Sequence, residues 1–350
     1  MALLDEIFRF GTIGLFIWLT IWVLRDWRHQ IRGKLAVAMF VCMSTSLLSF
    51  KSTFQLGETA LDLVLFPFWV LGGVSVWLFC LSQFDDHFYL KPWHWAVVGI
   101  KLVLGYMFLF ANQRGYTSLF EATFAVSWAM ALAVKAHLAY VTWRGRDDDL
   151  MPARLKFRSI FVACVILVSI GLNLAEVWYL EHPAQPVPYL PLAQSATFFA
   201  ITLFVLWRLS GPDGIELFLF SAAGRGTRAP APTGEDRPDL AALDTLIADK
   251  VLLEPGLNIA QLADKAQMPE HRLRRLINQH MGFRNFSDFL NHHRIAAAQE
   301  RLASVEDRNL PVLTIAMDLG YGSLGPFNRA FKERTGQTPT EFRRAALASA

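Results

Sequence analysis

Apolar residues dominate the first 209 positions in long runs, then give way to short amphipathic segments. Seven runs read as membrane-crossing helices: Phe8–Leu24, Leu35–Phe50, Leu61–Phe84, His94–Asn112, Tyr116–Trp143, Ser159–Leu180 and Val187–Leu209. A crossing needs about 20 mostly apolar residues. The second run has 16, so it fits either a re-entrant segment or a span continued into its flanks. The fifth is long enough to protrude from a bilayer. The first is too long for a cleaved signal peptide, and no small-residue cleavage site follows it. All 11 Trp residues fall between Trp18 and Trp207, which sets a boundary soon after Trp207.

Basic residues in the loops orient the spans. Arg25, Arg28, Arg32, Lys34, Lys91, Arg144, Arg146, Arg154, Lys156 and Arg158 fall on one side, ten in all, against Arg9, Lys51 and Arg114 on the other. The ten-charge side is therefore expected to be cytoplasmic. That puts the N-terminus outside and everything after the seventh span inside. Cys42, Cys80 and Cys164 all lie within apolar runs, and no Cys/His cluster exists to hold zinc. Charges inside spans are functional candidates. Lys101, Lys135 and Glu121 are there, with snorkelling to the nearer interface expected for Lys135 and Glu121. Asn173 and Glu176, three apart on one helix face, are the candidates for a ligand pocket or gate. The seventh run carries no Lys to bind retinal.

Residues 210–238 are rich in Gly, Pro, Ala and Thr and read as a flexible tether. Beyond it the pattern is all-helical. Asp239 is placed to cap a first helix, Asn258 with Gln261 resembles a capping box, and so does Thr338 with Glu341. A repeat is visible as well. Arg275 and Arg329 are 54 residues apart, as are Gly282 and Gly336. Each copy has a small residue, Ala263 or Ala316, where two helices would cross closely. Phe286–Leu302 reads as one connecting helix, with Phe289, Ile295, Ala298 and Leu302 facing the core and Arg294 pairing within it. From Val251 onward 13 basic residues face 10 acidic ones, so phosphate affinity must come from where the charges sit.

The run Ile315-Ala-Met-Asp-Leu-Gly-Tyr-Gly-Ser-Leu-Gly-Pro-Phe-Asn-Arg-Ala-Phe-Lys, with the repeat before it, resembles the second helix-turn-helix of the AraC/XylS family of bacterial transcription regulators. The resemblance covers roughly Leu240 to Arg344. It implies two helix-turn-helix units entering successive major grooves of double-stranded DNA. The readers it implies are His271, Arg272, Arg274 and Arg275 in the first unit. In the second they are Leu324, Gly325, Asn328 and Arg329, with Lys332 nearby for phosphate. This chain departs from the family pattern at Gln267, where Gly is usual, at Pro269, where a Ser cap is usual, and at Gly325-Pro326. The first unit is therefore expected to carry most base readout and the second to hold the backbone.

The fold expected is all-α. It comprises a polytopic bundle of about seven spans over 1–209, a linker over 210–238 and an AraC-type domain over 239–346. The function expected is a regulator in the bacterial inner membrane whose membrane half senses an unknown ligand or partner membrane protein. A homodimer would double the contacted DNA. No cofactor, metal or enzymatic motif is read. Two alternatives stay open: a transporter-like or enzyme-like membrane module with a secondary regulatory domain, and a non-specific chromosome–membrane anchor.

Overall fold

The computed structural model describes the chain outside residues 50–59, 85–87, 146–147, 151, 182–188, 211–235, 284 and 349–350. No strand occurs among the described residues. They form two compact units: Met1–Gly145 with Lys156–Ala223, and Arg146–Leu155 with Gly224–Ala350.

The first unit contains α1 (Ala2–Trp27), α2 (Ile31–Ser49), α3 (Ala60–Val70), α4 (Gly72–Phe84), α5 (Pro92–Arg114), α6 (Thr117–Arg144), α7 (Pro152–Glu181) and α8 (Leu190–Leu209). Each apolar run is helical where it is described, except at Leu71, Tyr116 and Tyr189. Among the described residues, five helices are long and apolar enough to cross a membrane, or six if α3 and α4 count as one span bent by 46°. The expected sixth run lies in α7, whose described apolar stretch is the shorter Ser159–Gly171. The third run breaks because Pro67 removes a backbone donor and Gly72-Gly73 follows at the bend. Many large apolar side chains turn outward. Ile17, Ile21, Ile100, Val103 and Leu167 are each more than half exposed, a surface that water would penalise and lipid would not. Arg9, counted above as an outer loop charge, sits instead inside α1. It is 2% exposed, with Asp5 accepting two bonds at 2.9 Å and the Leu47 carbonyl of α2 a third. Removing it from the loop count leaves the sign of the asymmetry unchanged.

The second unit contains α9 (Asp236–Ala248), a 3-10 turn at Val251–Leu253, α10 (Ile259–Lys265), α11 (Glu270–Gln279), α12 (Phe286–Ala303), α13 (Val312–Asp318), α14 (Leu324–Thr335) and α15 (Pro339–Ala348). The tether falls largely outside the described residues. Its last part, Asp236–Pro238, is already helical, so Asp239 lies in the first turn of α9 rather than capping it. Both capping boxes form. The Gln261 amide donates to Asn258 Oδ1 at 2.9 Å and the Asn258 amide to Gln261 Oε1 at 3.0 Å. The Thr338 amide donates to Glu341 Oε2 at 2.8 Å. That bond holds the Glu341 carboxyl below its ordinary range.

Two hydrophobic cores form here, and α12 serves both. Its Phe286, Phe289 and Leu290 join Leu273, Leu276 and Ile277 in one. Its Ile295, Ala298 and Leu302 join Ile315, Phe327 and Phe331 in the other. Each fully buried large apolar side chain is worth about 1.5–3 kcal/mol. Between the cores lies Arg294, 7% exposed. Its guanidinium donates to the carbonyls of Leu252 (2.8 Å), Glu254 (2.8 Å) and Gly320 (2.9 Å). The partners are carbonyls rather than a carboxylate. They bind the segment before α10 to the turn after α13.

Candidate nucleic-acid interface

The pairs α10–α11 and α13–α14 are two helix-turn-helix units of matching geometry. In the first, the Gln267 amide donates to Asp264 O and the Met268 amide to Ala263 O, both at 3.1 Å. In the second, the Gly320 amide donates to Met317 O and the Tyr321 amide to Ala316 O, both at 3.0 Å. This is the same double closure of a helix end by a left-handed residue. That residue is Gly320 at φ 85° in one copy and Gln267 at φ 53° in the other. The departure from Gly at 267 therefore keeps the left-handed turn and carries its steric cost. Ala263 and Ala316 are buried at the two crossings, as their size requires. The repeat partners Gly282 and Gly336 are likewise left-handed, at φ 78° and 75°.

Recognition helix α11 buries Leu273, Leu276 and Ile277. His271 and Arg275 are exposed on it. Pro269 stands at its N-cap and makes no side-chain cap bond. All three of its arginines are engaged within the unit. Arg272 meets Asp239 and Arg275 meets Asp236, each at 2.5 Å. Arg274 is 8% exposed; it donates to Glu270 Oε1 through Nε at 2.8 Å and Nη2 at 2.6 Å, and to the Asp149 carbonyl through Nη1. In α14 the packing face is Phe327, Ala330 and Phe331. Leu324 is half-buried, and Gly325, Asn328, Arg329 and Lys332 are exposed. Pro326 falls in the first turn, where no backbone donor is needed.

The partner of Arg274 comes from far away in the chain. Asp148, Asp149 and Leu150, from the segment between α6 and α7, belong to this second unit. Leu150 is fully buried in the first core beside Leu273, Ile277 and Phe289. Asp149 is 1% exposed and forms an antiparallel bridge with Asn285. The first amides of α12 are satisfied by this segment and by its own cap. The Phe286 amide donates to Asp148 O at 2.8 Å, the Ser287 amide to Asp148 Oδ1 at 2.7 Å, and the Asp288 amide to Asn285 Oδ1 at 2.7 Å. A carboxylate there also faces the positive end of a helix. Linear pattern reading misses this contact. The available signal was the acidic run Asp147-Asp148-Asp149 inside an otherwise basic loop.

Three histidines of the second unit differ in their surroundings. His292 is exposed. His280 is nearly enclosed beside Asp236 at 3.5 Å. His293 packs edge-on against Phe289 at 5.0 Å, and burial, with His292 and Arg334 nearby, pushes its pKa down. Arg301 pairs with Asp307 and Asp318. Among the described residues no group of three metal-ligating side chains occurs.

The candidates in the first unit also resolve. Lys135 does not snorkel but donates to Asn173 Oδ1 at 2.6 Å, and Lys101 donates to Ser127 Oγ. The side chain of Glu176 lies outside the described residues. Asn173 and both lysines line one cavity of about 400 Å³.

A helix-turn-helix domain family matches residues 262–345, spanning most of the paired units. The regulatory protein SoxS of Escherichia coli K12 is 30% identical over 91 residues, which is 26% of this chain and 81% of that protein. SoxS of Salmonella typhimurium is 29% identical over the same length. No solved structure matches the chain. Two helix-turn-helix units in tandem define a DNA-binding regulator. Through this domain the chain belongs to the AraC/XylS family.

Proposed function

We propose that the protein is a sequence-specific transcription regulator embedded in a bacterial inner membrane, with its DNA-binding unit in the cytoplasm and its membrane unit sensing a signal. The observation that carries this reading is one chain joining a tandem helix-turn-helix domain to helices of crossing length with apolar outer faces. Sequence preference would come from His271, Arg272, Arg274 and Arg275, together with Leu324, Asn328 and Arg329. Lys332 would hold phosphate.

The engagement of Arg274 supports a route for the signal. Residues Asp148–Leu150 continue in the chain from α6 and lead into α7, yet they hold a recognition-helix arginine. In this reading the described state restrains the first unit. A signal that shifts α6 or α7 would release Arg274 to the major groove. The charge asymmetry supports the same topology, because it assigns this loop and the C-terminal domain to one side.

The test is DNA binding by full-length protein in lipid nanodiscs, comparing wild type with Asp148→Ala/Leu150→Ala. The double variant is expected to bind specific DNA roughly tenfold more tightly, corresponding to about 1.4 kcal/mol released from the restraint. Unchanged or weaker binding by a folded variant would contradict the restraint.

A further inference from the structure

We propose that Asp236, the first residue of α9, is a specificity-determining residue that positions Arg275 for base reading. It acts through the arginine rather than on DNA. The inference rests on the assignment of Arg275 as a reader in the proposal above, and adds the residue that aims it.

The two residues belong to different helices of one core. Helix α9 is anchored by Leu243, which is fully buried in the cluster that holds Leu273, Leu276 and Ile277 of α11. That shared core fixes α9 relative to α11. Asp236 stands in the first turn of α9, where a carboxylate also meets the positive end of its own helix. Its side chain is 7% exposed, while that of Arg275 is 46% exposed. Asp236 Oδ1 accepts from Arg275 Nη2 at 2.5 Å. Its other oxygen, Oδ2, lies 3.5 Å from Nε2 of His280, the C-cap residue of α11. Both oxygens are therefore turned to α11 from a buried position, so packing sets their hold on the arginine. The neighbouring pair differs. Asp239 Oδ2 comes within 2.5 Å of Arg272 Nε but accepts no hydrogen bond, so it supplies charge without a directional hold.

A free arginine gives up many rotamers when it meets a base, and one already held loses fewer. Asp236 takes one bond from a guanidinium that has five donors, which leaves donors for a guanine edge. The pairing also offsets charge. A paired Arg275 adds little to the attraction for phosphate, which draws on uncompensated cations. What it brings to DNA is geometry, and geometry is what discriminates among bases.

The experiment uses full-length protein in lipid nanodiscs. Randomised duplexes are selected on wild type and sequenced. The selected site is then titrated with each single-base substitution, and an unrelated duplex is titrated at several salt concentrations. Arg275→Ala is expected to relax preference at one base pair by roughly tenfold. Asp236→Ala should relax preference at that same base pair by roughly three- to tenfold. The double variant should lose no more than Arg275→Ala alone. On the unrelated duplex Asp236→Ala should bind more tightly, with a salt slope steeper by about 0.9, because a cation has been uncovered. Asp236→Asn keeps an acceptor oxygen and drops the charge. It should show the same gain on unrelated DNA while retaining most base preference, and it carries the salt test if the alanine variant does not fold. The positioning role is overturned if Asp236→Ala weakens all sequences alike, as loss of a purely structural residue would. It is overturned equally if Asp236→Ala tightens specific binding with base preference intact, as release of a brake would, or if its loss adds to that of Arg275→Ala. Should Arg275→Ala alter preference at no base pair, the reader assignment and the positioning role fall together. A base effect of Arg275→Ala without one of Asp236→Ala sinks the positioning role alone.

Discussion

The two helix-turn-helix units share a skeleton down to matched turn hydrogen bonds, but they differ in what holds their reading helices. In α11 every arginine is engaged by an acidic side chain, Arg272 and Arg275 by Asp239 and Asp236 of α9 and Arg274 by Glu270 of α11 itself, and Arg274 also by the Asp149 carbonyl. In α14 the corresponding face, Asn328, Arg329 and Lys332, lies exposed. The turns differ too: Gly320 occupies a left-handed position at no intrinsic cost, whereas Gln267 occupies its counterpart against its preference. An unmodified repeat would bind DNA with both units at once. In the proposed restrained state the second unit is the one free to meet DNA first, and the first unit follows once Arg274 is released. The expectation that the first unit carries most readout therefore becomes a proposal about the released state.

The largest effect should come from the residue that both units share. Arg294→Met removes donors from three carbonyls between the cores. It is expected to destabilise the second unit by about 3 kcal/mol or more, read from denaturant unfolding. A loss below about 1 kcal/mol would mean water replaces the guanidinium and the two units are not tied through it.

The turns give the next contrast. A Cβ at Gly320 would lie 2.5 Å from the Leu253 carbonyl oxygen and meet Arg294, so Gly320→Ala should cost roughly 2 kcal/mol. Gln267→Gly should stabilise by about 1 kcal/mol, because it relieves a left-handed non-Gly residue. Opposite signs on melting would confirm that the two turns differ in strain.

For reading, Arg274→Ala and Arg329→Ala separate the roles. If Arg274 reads a base once released, its loss should cost about 1–3 kcal/mol on specific DNA and relax preference at one base pair. Equal loss on all sequences would assign it to phosphate or to the fold. The smallest effect concerns pH. The pKa of His293 is depressed by burial, so the folded state resists its protonation. The stability contributed is present above the ordinary histidine value near 6.5 and is lost as pH falls through that value toward the depressed one. His293→Gln should flatten this part of the pH dependence of unfolding.

Much of the fold was legible because local pattern determines it. Crossing-length runs, capping boxes at Asn258 and Thr338, and the repeat all announce themselves within a few residues, whereas the bend in the third run, expected as one continuous span, emerges only in the structure. Long-range partners do not. Arg294 was legible as a core residue, but not its three carbonyls. Lys135 looked like a snorkelling lysine because its partner Asn173 is 38 positions away. The contact from Asp149 to Arg274 spans 125 positions, and no periodicity records it. Arg9 misled the loop count because its neutralising partner Asp5 lies one turn back on the same buried face.

The central claim is tested most directly by mapping genome-wide occupancy of the full-length protein, cross-linked in intact cells, beside an Arg274→Ala/Arg275→Ala variant. A few sharp sites are expected, lost or blurred in the variant while the protein stays in the membrane fraction. Diffuse occupancy identical in both proteins would contradict a sequence-specific membrane regulator and leave only a chromosome anchor.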